Sequence, residues 1–163
     1  MMPSYSKLFQ VFSILFSIAF SSCSLKEESI VSSDFVEFGH DGIVPDKEYV
    51  FYPFESVSDT VSSHTFAVSL IVRYTDLCKI KSLPLNIEKG SIWSDSISNF
   101  QVELPLFQLN DNSNGKGNFG LYQTLFPLFP SIQNEEGSFI SISSSSKDTK
   151  GIISMGIITE ALN

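Results

Sequence analysis

The sequence predicts an all-β protein: an antiparallel β-sandwich of about seven short strands, with a small β-barrel as the competing closure. Three observations carry this. Thr65–Thr75 alternates strictly, with Phe66, Val68, Leu70, Val72 and Tyr74 on one face and Thr65, Ala67, Ser69, Ile71 and Arg73 on the other. That period of two belongs to a strand with one buried face. Residues 97–109 alternate again through Phe100, Val102, Leu104 and Leu106. Nowhere does the mature chain carry a helical period or a Gly-rich strand–helix unit, and short strands in this number pack as two sheets. The 163 residues suit one domain, and 42% hydrophobic with 13% aromatic content, including 15 Phe, excludes a disordered chain.

Taken in order, the first element is a leader. Lys7 supplies a positive charge and residues 8–20 (LFQVFSILFSIAF) form an apolar run. A bilayer-spanning helix needs about 20 residues, so this run reads as the hydrophobic region of a signal peptide, residues 1–22. Phe20-Ser21-Ser22-Cys23 resembles a lipobox, with Phe20 in place of Leu. Such a motif implies acylation of the Cys23 thiol with diacylglycerol (palmitate-type chains) and cleavage before it. The covalent lipid is then the anchor, and two or three acyl chains hold firmly where one holds marginally. Lys26-Glu27-Glu28 resembles the signal that sends some Bacteroidetes lipoproteins to the cell surface. The expected location is the outer membrane, with the periplasmic and surface faces both open.

Residues 23–48 read as a polar tether, with one short strand at 34–38 and turns at Asp41-Gly42 and Pro45-Asp46. The sandwich domain is assigned to residues 49–163. Residues 49–54 are a compact aromatic run. Pro84 makes 83–88 an edge strand, because proline cannot donate to a ladder. The cluster at 110–118, rich in Asn and Gly, reads as the loop of a hairpin whose return strand is 119–126. Residues 137–144 and 152–159 supply two more strands, joined by 145–150.

Chemistry is sparse. His40 and His64 have no partner at ligand spacing, so no metal is expected and each reads as a surface or capping residue. The loop beginning at Asp111 fails as a calcium site, with Gly115 at its fifth position and Tyr122 at its twelfth. There is no Gly-x-Ser-x-Gly elbow, and Glu135-Glu136 read as solvated loop acids. Acylation of Cys23 leaves Cys78 without a disulfide partner, as a half-buried, inert thiol. No catalytic residues and no cofactor beyond the lipid are expected. The formal charge is −8, and loss of residues 1–22 removes Lys7 and no acid, taking it to −9. Nucleic acid and anionic surfaces are thereby poor partners.

Weak binding candidates remain. Trp93 is the only Trp, flanked by Ser91 and Asp95, and Tyr52, Tyr74 and Tyr122 are polar-tipped aromatics. Exposed, they stack on sugar rings or anchor a partner; buried, they are core, which is the reading favoured here. Arg73, the only Arg, is expected to pair with a carboxylate, with a ligand role as the lesser alternative.

Several pieces, in this order, resemble the gliding-motility lipoprotein GldH family of Bacteroidetes. They are Tyr49-Val50-Phe51-Tyr52-Pro53-Phe54, Phe66-Ala67-Val68-Ser69-Leu70-Ile71-Val72-Arg73-Tyr74, Val102-Glu103-Leu104-Pro105-Leu106, Gly115-Lys116-Gly117 with Leu121-Tyr122, and Gly151-Ile152-Ile153-Ser154-Met155-Gly156-Ile157. The chain departs from the family at Asn114, where a Trp is expected, and at Leu77-Cys78-Lys79-Ile80-Lys81, which replaces an aromatic-rich stretch. The resemblance implies a non-enzymatic outer-membrane lipoprotein partnered with envelope proteins of the gliding and type IX secretion apparatus. A surface lipoprotein binding glycans or another small ligand is the alternative.

Overall fold

The computed structural model describes residues 30–55, 57, 65–106, 116–118 and 120–162. Nine strands fold as two antiparallel sheets, with no helix among the described residues. In chain order they are β1 (Ile30–Glu37), β2 (Tyr49–Phe51), β3 (Thr65–Thr75), β4 (Ser82–Ser91), β5 (Ser94–Pro105), β6 (Lys116–Asn118), β7 (Leu121–Gln133), β8 (Ser138–Ser143) and β9 (Ile152–Ala161). One sheet runs β1-β9-β3-β7-β6, the other β2-β8-β4-β5. This is the β-sandwich the alternation predicts, not a closed barrel. The leader, Cys23, His64 and residues 110–115 lie outside the described residues.

The two inner faces meet in one core. All five inward residues of β3, from Phe66 to Tyr74, are fully buried. Facing them are Leu83, Leu85 and Ile87 of β4 and Ile140 and Ile142 of β8, joined by Tyr49 and Phe51 of β2 and Leu104 of β5. Each such side chain contributes about 1.5–3 kcal/mol on leaving water. On the outer face of the first sheet, the Phe35 ring lies over Gly156, where a side chain would collide with it. The Arg73 guanidinium sits 4.7 Å from the Phe35 ring centre.

Three expectations need correction. The domain does not begin at residue 49. β1 pairs with β9 from Ile30 to Glu37, and Ile43 is buried in the core, so residues 30–48 belong to the sandwich. Thr149 fixes that segment by donating to the Ile43 carbonyl at 2.9 Å. The many acids there are side chains of a strand and loops whose apolar members still face inward.

β4 is an interior strand, between β5 and β8, despite Pro84. The proline is tolerated because β8 has ended. Its ladder with β4 covers Asn86 to Ser91, so Pro84 has a strand only on the β5 side. On the open side the Ser144 hydroxyl donates to the Pro84 carbonyl at 2.7 Å.

Finally, residues 97–109 and 119–126 are not the arms of one hairpin. β5 pairs with β4 in one sheet, and β7 pairs with β3 in the other. The connection therefore crosses between sheets, and the return hairpin is the short β6–β7 pair, turning through Gly120 at φ 76°. β7 also continues past Phe126 to Gln133 through Pro127 and Pro130. Register shifts against β3 between Phe66 and Ser69 absorb those prolines.

Candidate functional site

The feature most like a site lies at one end of the sandwich, where three connections meet. The β4–β5 turn is only two residues, Ile92 and Trp93, between the paired Ser91 and Ser94. Neither turn residue has positive φ, as two-residue hairpin loops ordinarily require. The turn is held by its surroundings instead. Trp93 N–H donates to the Ser91 hydroxyl oxygen at 3.3 Å, and that hydroxyl donates to the Glu136 carbonyl at 3.2 Å. Ile92 N–H donates to the Gly137 carbonyl at 3.0 Å.

The β7–β8 turn is thus the second component. Gly137 has φ 71°, and a Cβ there would lie 2.8 Å from both Cδ1 and Nε1 of Trp93. The indole edge is seated against the glycine, which only a residue without a side chain permits. The third component is the chain leaving β2, with Tyr52, Phe54, Glu55 and Val57. Together these enclose an open cleft of about 490 Å³, lined also by Ile92, Asn134, Glu136, Gly137 and Ser138. Ser138 is 5% exposed and its Oγ has no hydrogen-bond partner. An unpaired buried hydroxyl costs about 1–3 kcal/mol, and this one lies behind the cleft wall, out of contact with solvent.

Among the sequence candidates, Trp93 is placed at this site. It is 74% exposed, so the reading that made it core is overturned. Tyr52 is exposed too and lines the cleft, whereas Trp93 stands beside it on the adjoining turn. Tyr74 is the opposite case: it is fully buried and presents no face to a ligand. Its hydroxyl donates to the Leu106 carbonyl at 2.7 Å, and its ring stacks on Tyr122 at 5.7 Å. Arg73 does not meet a carboxylate in the expected way: its Nε donates to Gln123 Oε1 at 3.1 Å while the guanidinium covers Phe35. Arg73, Tyr74 and Tyr122 therefore belong to the first sheet, away from the cleft.

His40 is exposed in the turn after β1, at the other end of the molecule. Among the described residues no three His, Cys, Asp or Glu groups are placed to share a metal ion. Cys78 is 1% exposed, more deeply buried than expected. Burial pushes its thiol pKa up, and Asp148 adds to this, while a backbone hydrogen bond at Ile80 and the charge of Lys79 oppose it. Glu136 and Ser138 were missed as site residues. One reads as a loop acid and the other as one serine among many, and only the fold brings them to Tyr52.

No protein-family model matches the chain, and no curated protein matches it. Among solved structures it is similar to Eiger TNF from S. frugiperda, at 11% identity and TM-score 0.32, over 62% of this chain and 60% of that one. The chain thus spans about three fifths of that relative's length. It is also similar to the structure of Tomato Aspermy Virus, at 10% identity and TM-score 0.33, over 94% of this chain and 95% of that one. At such scores neither carries an activity or a partner to this protein.

Proposed function

We propose that the chain is a non-enzymatic, lipid-anchored outer-membrane protein of the GldH type, a docking component of the gliding and type IX secretion apparatus. The observation that carries this reading is the ordered set of motifs from Tyr49 to Ile157, together with the lipobox ending at Cys23. The pieces fall on β2, β3, β5, β6, β7 and β9, six of the nine strands described. A docking role suits the free edge of β5. This strand closes the second sheet, and its residues are exposed from Ser94 through Asn99. An unpaired strand edge of that length is a ready partner for another protein's strand.

Mild cross-linking in the native cells, followed by affinity purification and mass spectrometry, tests the reading. Gliding or secretion components should be recovered with the wild-type protein and lost with Cys23→Ser. Recovery of the same components with Cys23→Ser would remove the lipid from the mechanism, and recovery of glycan-utilisation proteins alone would count against the GldH role.

A second reading, a ligand-binding lipoprotein, is favoured by the cleft lined by Tyr52, Phe54 and Ile92, beside the Trp93 turn. Aromatic faces beside Glu55, Glu136 and Asn134 suit a neutral sugar. A saturable shift of Trp93 emission with maltohexaose or cellohexaose, lost in Tyr52→Ala, is the outcome expected of it.

A further inference from the structure

The cleft lies at the end of the molecule where the chain enters the fold. Ile30 opens β1 opposite Glu160, near the end of β9, and Leu162 N–H donates to the Thr65 carbonyl at the start of β3. Thr65 in turn pairs with Gln133, the last residue of β7, and the β7–β8 turn that follows holds Ile92. Six of the exposed large apolar residues share this end: Ile30, Tyr52, Ile92, Trp93, Ile97 and Leu162. Trp93 at 74%, Ile97 at 60% and Ile92 at 59% are the three most exposed large apolar side chains among the described residues.

We propose that this tip is the surface on which the domain rests against its own membrane, with Ile92 and Trp93 entering the headgroup region. The inference depends on the lipid-anchor reading of Cys23. Cys23 precedes Ile30 by seven residues, and a fully extended chain of that length spans at most about 25 Å. The tip is therefore the end that the anchor holds near the bilayer. A Trp and a Tyr beside aliphatic side chains are the residues that partition into a membrane interface, ring body toward the lipid and polar tip toward water.

Charge sets which surface is accepted. Exposed Glu55, Asp95, Glu135 and Glu136 surround the tip, and its turns, 91–97 and 134–138, contain no Lys or Arg. The contact is consequently apolar and aromatic, with the acids left at the zwitterionic headgroup level, and anionic lipid opposes it.

The single Trp makes this directly measurable, because all tryptophan emission comes from position 93. The acylated full-length protein is reconstituted in phosphatidylethanolamine–phosphatidylcholine vesicles, some containing lipids brominated in the upper acyl chain. Flotation with the vesicles reports the anchor, and bromine quenching reports the tip. The expected result is a blue-shifted emission quenched by the brominated lipid, weakened roughly twofold or more by Ile92→Asp or by Ile97→Asp while flotation persists. Replacing part of the lipid with phosphatidylglycerol should reduce the quenching. Protein that floats but keeps a solvent-like emission, open to aqueous iodide and untouched by bromine, overturns the proposal and leaves the anchor standing. Quenching that rises with phosphatidylglycerol, or a Trp93 response to oligosaccharide and not to lipid, also overturns it. Failure to float removes the anchor reading, and this inference falls with it. Circular dichroism of the two variants, compared with the wild type, separates loss of contact from loss of fold.

Discussion

Single residues show how differently two aromatics from one candidate set can be used. Tyr74 and Trp93 read alike in the sequence, as polar-tipped rings near strand ends, yet one is fully buried and the other 74% exposed. The alternation of β3 locates Tyr74 in the core because its four inward neighbours are apolar. Trp93 has no such frame, since a turn interrupts the period. Tyr74→Phe should destabilise the fold by about 1–3 kcal/mol, because it leaves the buried Leu106 carbonyl without its 2.7 Å donor. Urea unfolding followed by circular dichroism measures this, and a change below a few tenths would mean that the carbonyl finds another partner. Cys78 permits a pH prediction. Its folded pKa is raised, so the unfolded chain releases the thiol proton first as pH rises through the ordinary thiol range, about 8.5. The unfolded state then binds fewer protons, and stability falls with pH until the folded thiol also ionises. Cys78→Ala should flatten the alkaline part of the stability profile. In the folded wild type, maleimide should label Cys78 only at the rate of opening.

Elements were legible where burial alone dictates them and illegible where contacts between elements do. β3 could be read residue by residue, since its inward side is uniformly apolar. The β4–β5 turn could not, because Ser91-Ile92-Trp93-Ser94 contains no Gly, Asn or Asp to announce a hairpin. It is fixed by Gly137 and Glu136 from a turn more than forty residues later. The turn-rich 110–118 cluster likewise signals a turn without saying which sheet the chain enters next, so β5 and β7 read as one hairpin although they lie in different sheets. Gly137→Ala tests the coupling of the two turns. The added Cβ would meet both Ile92 and Trp93, and a non-glycine residue at φ 71° adds about 1–3 kcal/mol of strain. The expected outcome is a lower unfolding midpoint together with a changed Trp93 emission in the folded state. A lower midpoint with an unchanged spectrum would show that the indole is not seated on Gly137.

At the scale of the whole molecule, the start of the domain is the feature that composition hides. Residues 30–48 carry five of the chain's acids, Asp34, Glu37, Asp41, Asp46 and Glu48, and so resemble a solvated tether. In the fold their apolar members decide the outcome. Val31, Val36 and Phe38 pack on the core, Ile43 enters it, and Phe38 meets Tyr49 edge to face at 5.2 Å. Removing β1 would uncover the edge of β9, a strand whose residues are almost all buried or half-buried, and expose its unpaired backbone to aggregation. Thr149 would lose its acceptors, the carbonyls of Asp41 and Ile43. A fragment of residues 49–163 should therefore be insoluble or unfold without a cooperative transition, whereas one of residues 30–163 should be soluble and melt cooperatively. Thermal unfolding by circular dichroism and size-exclusion chromatography distinguish the two. If the shorter fragment melts at the same temperature as the longer one, β1 is an accessory strand and the domain starts at Tyr49 after all. If only the longer one folds, the tether shrinks to the six residues that separate Cys23 from Ile30, which is what holds the Trp93 tip close to whatever surface the lipid enters.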